Sequence, residues 1–213
     1  MDMRNTVFSS SHPALRIVVL VSGRGSNFQA IIDNIRAGKL PAVCAALITE
    51  NPDAPCIERA KAAQVPVVVV NYRSYSSRKE YEVDLLAALT ELSPDLVVLA
   101  GYLLIIGKKI VSEYKGRMIN IHPSLLPAFP GLHAQEQALA YGVKIAGCTV
   151  HFVDEAMDTG PIILQRSVAV QDDDTPDLLA ERILAEEHIA LSDAIHLFAK
   201  GRLTIHERRV IVS

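Results

Sequence analysis

From Arg16 onward the chain alternates short apolar runs rich in β-branched residues with segments whose apolar positions recur at helical spacing. The runs are Ile17–Val21, Ala42–Ile48, Val67–Val70, Leu96–Leu99, Met118–Ile121, Cys148–Val153 and Ile162–Val170. Most are continuous rather than alternating, the pattern of strands buried on both faces in a parallel sheet flanked by helices. Phe28, Ile31, Ile32 and Ile35 fall at i, i+3, i+4 and i+7, which predicts a first helix that Gly38 ends. Thr175-Pro176 supplies an N-cap and first-position pair for a last helix that stops before Gly201. No repeat or low-complexity linker divides the chain. The expectation is one domain over residues 16–213: an α/β fold with a doubly wound, mostly parallel sheet and helices on both faces, Rossmann-like in its winding. Residues 1–15 are polar and Ser-rich and are expected to form a disordered leader.

Composition narrows the class. The 213 residues are 50% hydrophobic and 21% charged, with a mean hydropathy of +0.24, which supports a large core and excludes disorder as the main state. A net charge of -3 and a pI near 6.2 lack the basic footprint of non-specific nucleic-acid binding, so any anion must be held locally. The three cysteines, Cys44, Cys56 and Cys148, are odd in number and show no C-x-x-C spacing, a reduced usage that points to the cytoplasm. No apolar run approaches the ~20 residues of a membrane span. Neither nucleic acid nor membrane is expected as a partner.

Three segments can carry chemistry. Val18–Asn27 reads as a strand, a Gly-containing turn and a helix start, where backbone N–H groups and the helix dipole favour an anion. Phe28 stands where a dinucleotide fingerprint has its third glycine, and no Walker pattern is present, so nicotinamide and ATP are disfavoured. The turn is either a monophosphate site or an ordinary βα turn with Ser26 or Asn27 capping the helix. In the second segment Asn120 and His122 are two apart on a strand and share a face at its carboxyl end. An amide donor beside an imidazole suits acyl transfer, though both could instead satisfy loop backbone. The third segment ends a strand in an acidic loop, Asp154 to Asp158, before Thr159-Gly160-Pro161. A carboxylate at Asp158 would orient His122 and favour its charged form, or else simply close a turn. His122, His133 and His151 with Asp154 or Asp158 could be metal ligands, but His151 and Asp154 fall on opposite faces of a continuing strand and no H-E-x-x-H pattern occurs; no metal is expected. On the last helix, Leu179, Ile183, Ala190, Ala194 and Leu197 form a stripe that includes Glu187, a carboxylate that needs a partner.

Together these segments resemble the phosphoribosylglycinamide formyltransferases, folate-dependent enzymes of purine synthesis, from about Arg16 to the end of the final helix. The resemblance is carried by Ser22-Gly23-Arg24-Gly25-Ser26-Asn27, Leu99-Ala100-Gly101-Tyr102, Asn120 to Gly131, His151 to Gln165, and Glu187-His188. It implies a catalytic trio of Asn120, His122 and Asp158, with His151 close by. It implies that Gly25, Ser26 and Asn27 hold the phosphate of glycinamide ribonucleotide and that Glu187 faces its ribose or amine. The folate pocket maps onto Arg78, Leu103, Leu104, Ile105, Ile106, Asn120, Asp154, Glu155, Ala156, Met157 and Asp158. At Leu104 members often carry a basic residue, a departure that concerns folate binding rather than the reaction. The co-substrate implied is 10-formyltetrahydrofolate, with no metal or nicotinamide, in a monomer or homodimer. Formyltetrahydrofolate deformylase shares the catalytic segment but passes the formyl group to water, and its usual extra N-terminal domain cannot fit within residues 1–15. A methionyl-tRNA formyltransferase would need a further C-terminal domain. A silent phosphate- or folate-binding module would not need Asn120, His122 and Asp158 together.

Overall fold

The computed structural model describes residues 14–213. The first seven strands are β1 (Leu15–Leu20), β2 (Ala42–Thr49), β3 (Val67–Val69), β4 (Leu96–Leu99), β5 (Met118–His122), β6 (Ile145–Phe152) and β7 (Ile162–Ala169). A C-terminal hairpin adds β8 (Leu203–His206) and β9 (Arg209–Val212). The helices are α1 (Ser26–Arg36), α2 (Cys56–Ala62), α3 (Arg78–Leu92), α4 (Lys108–Glu113), α5 (Ala134–Tyr141) and α6 (Pro176–Ala199). One sheet runs β3-β2-β1-β4-β5-β6-β7-β9-β8. From β3 to β5 every pairing is parallel, while β5–β6 and β6–β7 are antiparallel. The doubly wound, mostly parallel expectation therefore holds, with a change of direction at the β5–β6 seam.

Alternate residues of β1, and Val21 just beyond it, feed two cores. Ile17, Val19 and Val21 face Phe28, Ile31 and Ile32 of α1 and Leu179, Ile183 and Ala190 of α6. Val18 and Leu20 face Tyr81, Leu85 and Leu89 of α3 and Ile110 of α4. Burial on both sides explains the continuous apolar runs. β7 departs from that reading: its residues alternate between covered and exposed from Leu164 onward, so one face of it meets water. Thr175 caps α6 by accepting from Leu178 N at 3.3 Å, with Pro176 in the first turn, as the sequence suggests.

Two boundaries change. Leu15 is the first residue of β1, so the leader boundary drawn at 15 is one strand residue too late; residues 1–13 of that leader lie outside the described residues. The β8–β9 hairpin extends the sheet beyond the final helix. No helix among the described residues is long and apolar enough to cross a membrane.

Candidate active site

After β3 the chain returns to add β4 on the far side of β1, and a crevice opens beyond the carboxyl ends of strands at such a switch point. A cleft of about 680 Å³ starts there and extends over β5 and β6. Its volume suits small-molecule binding. Asn120, His122, His151, Asp158 and Glu187 all line it, so residues far apart in sequence converge on one space.

The candidate reactive centre lies on the β5–β6 seam. Asn120 is the register partner of His151 across the antiparallel pair, which puts the two side chains side by side. The Asn120 amide Nδ2 lies 3.2 Å from His151 Nε2. His151 Nδ1 faces the Phe152 carbonyl at 2.9 Å, and a carbonyl can only accept, so Nδ1 carries the proton and Nε2 accepts from Asn120. Burial pushes the His151 pKa down, which keeps this neutral tautomer. One Asn120 amide hydrogen is thereby tied up and the other is left for a ligand oxygen.

His122, 5% exposed, closes the end of β5. Its Nε2 donates to the Phe129 carbonyl at 2.9 Å, while its Nδ1 stands 3.4 Å from Asp158 Oδ2. Both ring nitrogens thus face oxygen acceptors. The 3.4 Å separation is long for a hydrogen bond and leaves the Nδ1 edge open to a substrate oxygen. Asp158 adopts a left-handed backbone with φ 57°, accepts from Gly131 N at 2.8 Å, and reaches toward His151 at 3.8 Å. The carboxylate sits between the two histidines.

At the other end of the cleft, α1 starts from Gly25, whose φ of 71° is left-handed and whose residue type offers no side-chain cap. Neither Ser26 nor Asn27 caps the helix. The Asn27 amide instead donates to Glu187 Oε2 at 2.7 Å, which gives the carboxylate on the apolar stripe its partner. Burial still pushes the Glu187 pKa up, with the Asn27 bond opposing. Asn27 Oδ1 is buried with no partner. Asn27 lines the cleft, whereas Gly25 and Ser26 do not form part of its wall.

Leu103, Leu104, Ile105, Ile106 and the loop Asp154, Glu155, Ala156, Met157 and Asp158 line apolar and acidic walls of the cleft. Arg78 is the exception: it is not part of the wall. Its guanidinium bonds Glu82 at 2.6 Å and donates to the Ile105 carbonyl at 3.0 Å, bracing that segment from α3. His133 lines the rim beside Glu136 at 3.0 Å. Among the described residues no group of three or more His, Cys, Asp or Glu side chains could hold a metal ion.

Residues 15–195 match the formyl transferase family. The chain belongs to that family. This formyltransferase is 42% identical over 193 residues to phosphoribosylglycinamide formyltransferase of Escherichia coli K12, covering 91% of each chain. It is 43% identical over 192 residues to the trifunctional purine biosynthetic protein adenosine-3 of Drosophila melanogaster, of which it spans 14%. The structure of glycinamide ribonucleotide transformylase 1 from Symbiobacterium toebii superposes with a TM-score of 0.93 at 46% identity over 99% of both chains. A formyltetrahydrofolate deformylase from Pseudomonas syringae has a TM-score of 0.88 at 25% identity, with 93% of this chain covering 65% of that one.

Sequence reasoning missed the support behind the formyltransferase's reactive loop. Thr149, fully buried on β6, donates to the Ser124 carbonyl at 2.6 Å and accepts from Leu126 N at 3.0 Å. Gln165 on β7 donates to both Thr149 Oγ1 and the Leu126 carbonyl at 2.9 Å. These bonds hold the loop that brings the Phe129 carbonyl to His122 and Gly131 N to Asp158. The sequence signal was a threonine in the mostly apolar β6 and a glutamine at the start of the polar stretch of β7.

Proposed function

We propose that the protein transfers the formyl group of 10-formyltetrahydrofolate to the amine of 5-phosphoribosylglycinamide, giving formylglycinamide ribonucleotide and tetrahydrofolate. The observation that carries the reading is the Asn120–His151 cross-strand pair beside His122 and Asp158, in a cleft that also reaches the α1 N-terminus. The ribonucleotide phosphate binds at the α1 end, its ribose faces Asn27 and Glu187, and the folate lies along Leu103 to Ile106 and the Asp154 to Asp158 loop.

The glycinamide nitrogen attacks the formyl carbon, and the carbonyl electron pair moves to oxygen. Asn120 and the charged His122 receive that oxygen through hydrogen bonds, so the charge develops against groups already aimed at it. Asp158 opposes the imidazolium charge and fixes the ring. A proton then leaves the attacking ammonium and reaches N10 of the folate, directly or through a water, as the bond between the formyl carbon and N10 breaks. No residue forms a covalent bond to the formyl group.

Three free thiols, Cys44, Cys56 and Cys148, are half-buried or buried, and burial is the main force pushing their pKa values up, a state that fits the reducing cytoplasm. The test is consumption of 10-formyltetrahydrofolate by the purified protein with and without the ribonucleotide. Consumption only with the ribonucleotide, matched by formylated product, is expected. Consumption without it would identify a deformylase, and none in either case would overturn the enzymatic reading.

A further inference from the structure

The cleft wall is acidic. Asp154, Glu155, Asp158, Asp177, Glu181 and Glu187 all contribute to it, yet the proposed substrates bring a phosphate and the carboxylates of a folate. Among the described residues that line the cleft, Arg24 is the only lysine or arginine. A phosphate dianion entering this space shares it with these carboxylates, and the dipole of α1 alone supplies only about half a positive charge.

Arg24 is held where a counter-charge is needed. Its carbonyl accepts from Arg59 Nε at 2.8 Å, and the neighbouring Gly23 carbonyl accepts from Cys56 N at 3.1 Å. Gly25 presses the turn onto α2 so closely that a Cβ there would lie 2.7 Å from Cys56 Cβ. The backbone of the turn is thus clamped from beneath by α2, while the Arg24 side chain borders the cleft beside Asn27. Asn27 is 6% exposed, and its Oδ1 is buried without a partner although its Nδ2 is bonded to Glu187. An orphan acceptor of this kind awaits a donor such as a ribose hydroxyl.

We infer that Arg24 is the residue that makes the enzyme selective for a phosphorylated amine, by forming charge-assisted hydrogen bonds to the 5′-phosphate while Asn27 and Glu187 engage the sugar. This deepens the formyl-transfer reading and rests on it. Arg24 is exposed and makes no side-chain hydrogen bond with any described residue, so its replacement leaves the fold intact. A guanidinium meets two phosphate oxygens through a planar, pre-oriented fork, whereas an ammonium acts as a point charge.

The experiment compares full-length wild type, Arg24→Ala and Arg24→Lys on glycinamide ribonucleotide and on its phosphate-free riboside, with melting in inorganic phosphate measured in parallel. Arg24→Ala is expected to lose roughly 10- to 100-fold in kcat/KM for the ribonucleotide, carried by KM. The riboside and folate constants should stay within about twofold, and Arg24→Lys should recover part of the loss. Phosphate should raise the melting temperature of wild type but not of Arg24→Ala. Equal losses on both amines, an altered folate KM with ribonucleotide kinetics unchanged, or unchanged selectivity would overturn the inference. If wild type transferred no formyl group, the formyl-transfer reading would fail, and the phosphate-dependent melting would still decide the role of Arg24.

Discussion

In the parallel half of the sheet, β1 and β4 are covered on both faces by helices, whereas in the antiparallel half β7 exposes every second residue along most of its length. The two halves equip the cleft differently. Parallel strands end together and feed helices, so this half offers a strand end, a tight turn and the positive end of α1, features suited to a fixed anion. The antiparallel seam places residues of adjacent strands directly opposite, so Asn120 and His151 touch and one can set the hydrogen bonding of the other. Under the proposed function, binding charge falls to the first half, and proton and oxyanion chemistry to the second. Glu187 on α6 and the Asp158 loop reach in from outside the sheet to complete each.

The largest effect should come from removing seam chemistry while leaving the parallel half intact. Asn120→Ala and His122→Ala should each lower turnover by at least roughly 100- to 1,000-fold, with cooperative melting retained and ribonucleotide KM little changed. Near-normal turnover in either would sink the division. Thr149→Val tests the scaffold behind the seam: Ser124 O and Leu126 N lose their buried partner, which should cost about 1–3 kcal/mol of stability in denaturant melts. A melt unchanged from wild type would mean that the loop is held elsewhere.

Glu187→Gln probes the binding half. The folded pKa of Glu187 is raised above 4.5, so its contribution to stability is present below 4.5 and is lost as pH rises through the folded value. At neutral pH the variant should therefore be more stable than wild type while its ribonucleotide KM rises. That stability gain should shrink as the pH approaches 4.5, and a constant gain would show that charge is not its origin. The smallest effect concerns His151, whose folded pKa is lowered from 6.5, so its contribution is present above 6.5 and is lost as pH falls through the folded value. His151→Leu should flatten the decline of melting temperature below pH 6.5, and curves that stay parallel would contradict this.

Much of the parallel half was legible because burial on both faces writes itself as continuous apolar runs, and α1 and α6 carry unambiguous start or stop residues. The β8–β9 hairpin was not. Its turn passes through Glu207, a non-glycine residue at φ 54°, where the familiar hairpin signal would be Asn-Gly or Asp-Gly. In the site, the Asn120–His122 spacing was readable because strand periodicity puts both on one face. The pairing of Asn120 with His151 depends on strand register, which no local pattern encodes. The position of Arg78 was hidden for a similar reason: its bonds to Glu82 and the Ile105 carbonyl, which brace the segment lining the cleft, depend on how α3 packs against that segment.

The central claim is that Asn120 and His151 act as one unit across the seam, and a double-mutant cycle on single-turnover formyl transfer tests it most directly. Asn120→Ala, His151→Leu and the double variant would be compared at saturating concentrations of both substrates. If His151 acts by orienting the Asn120 amide, His151→Leu alone slows transfer by roughly tenfold or more, but adds little once Asn120 is already alanine. Losses that multiply in the double variant would show that the two residues act independently and would contradict the account.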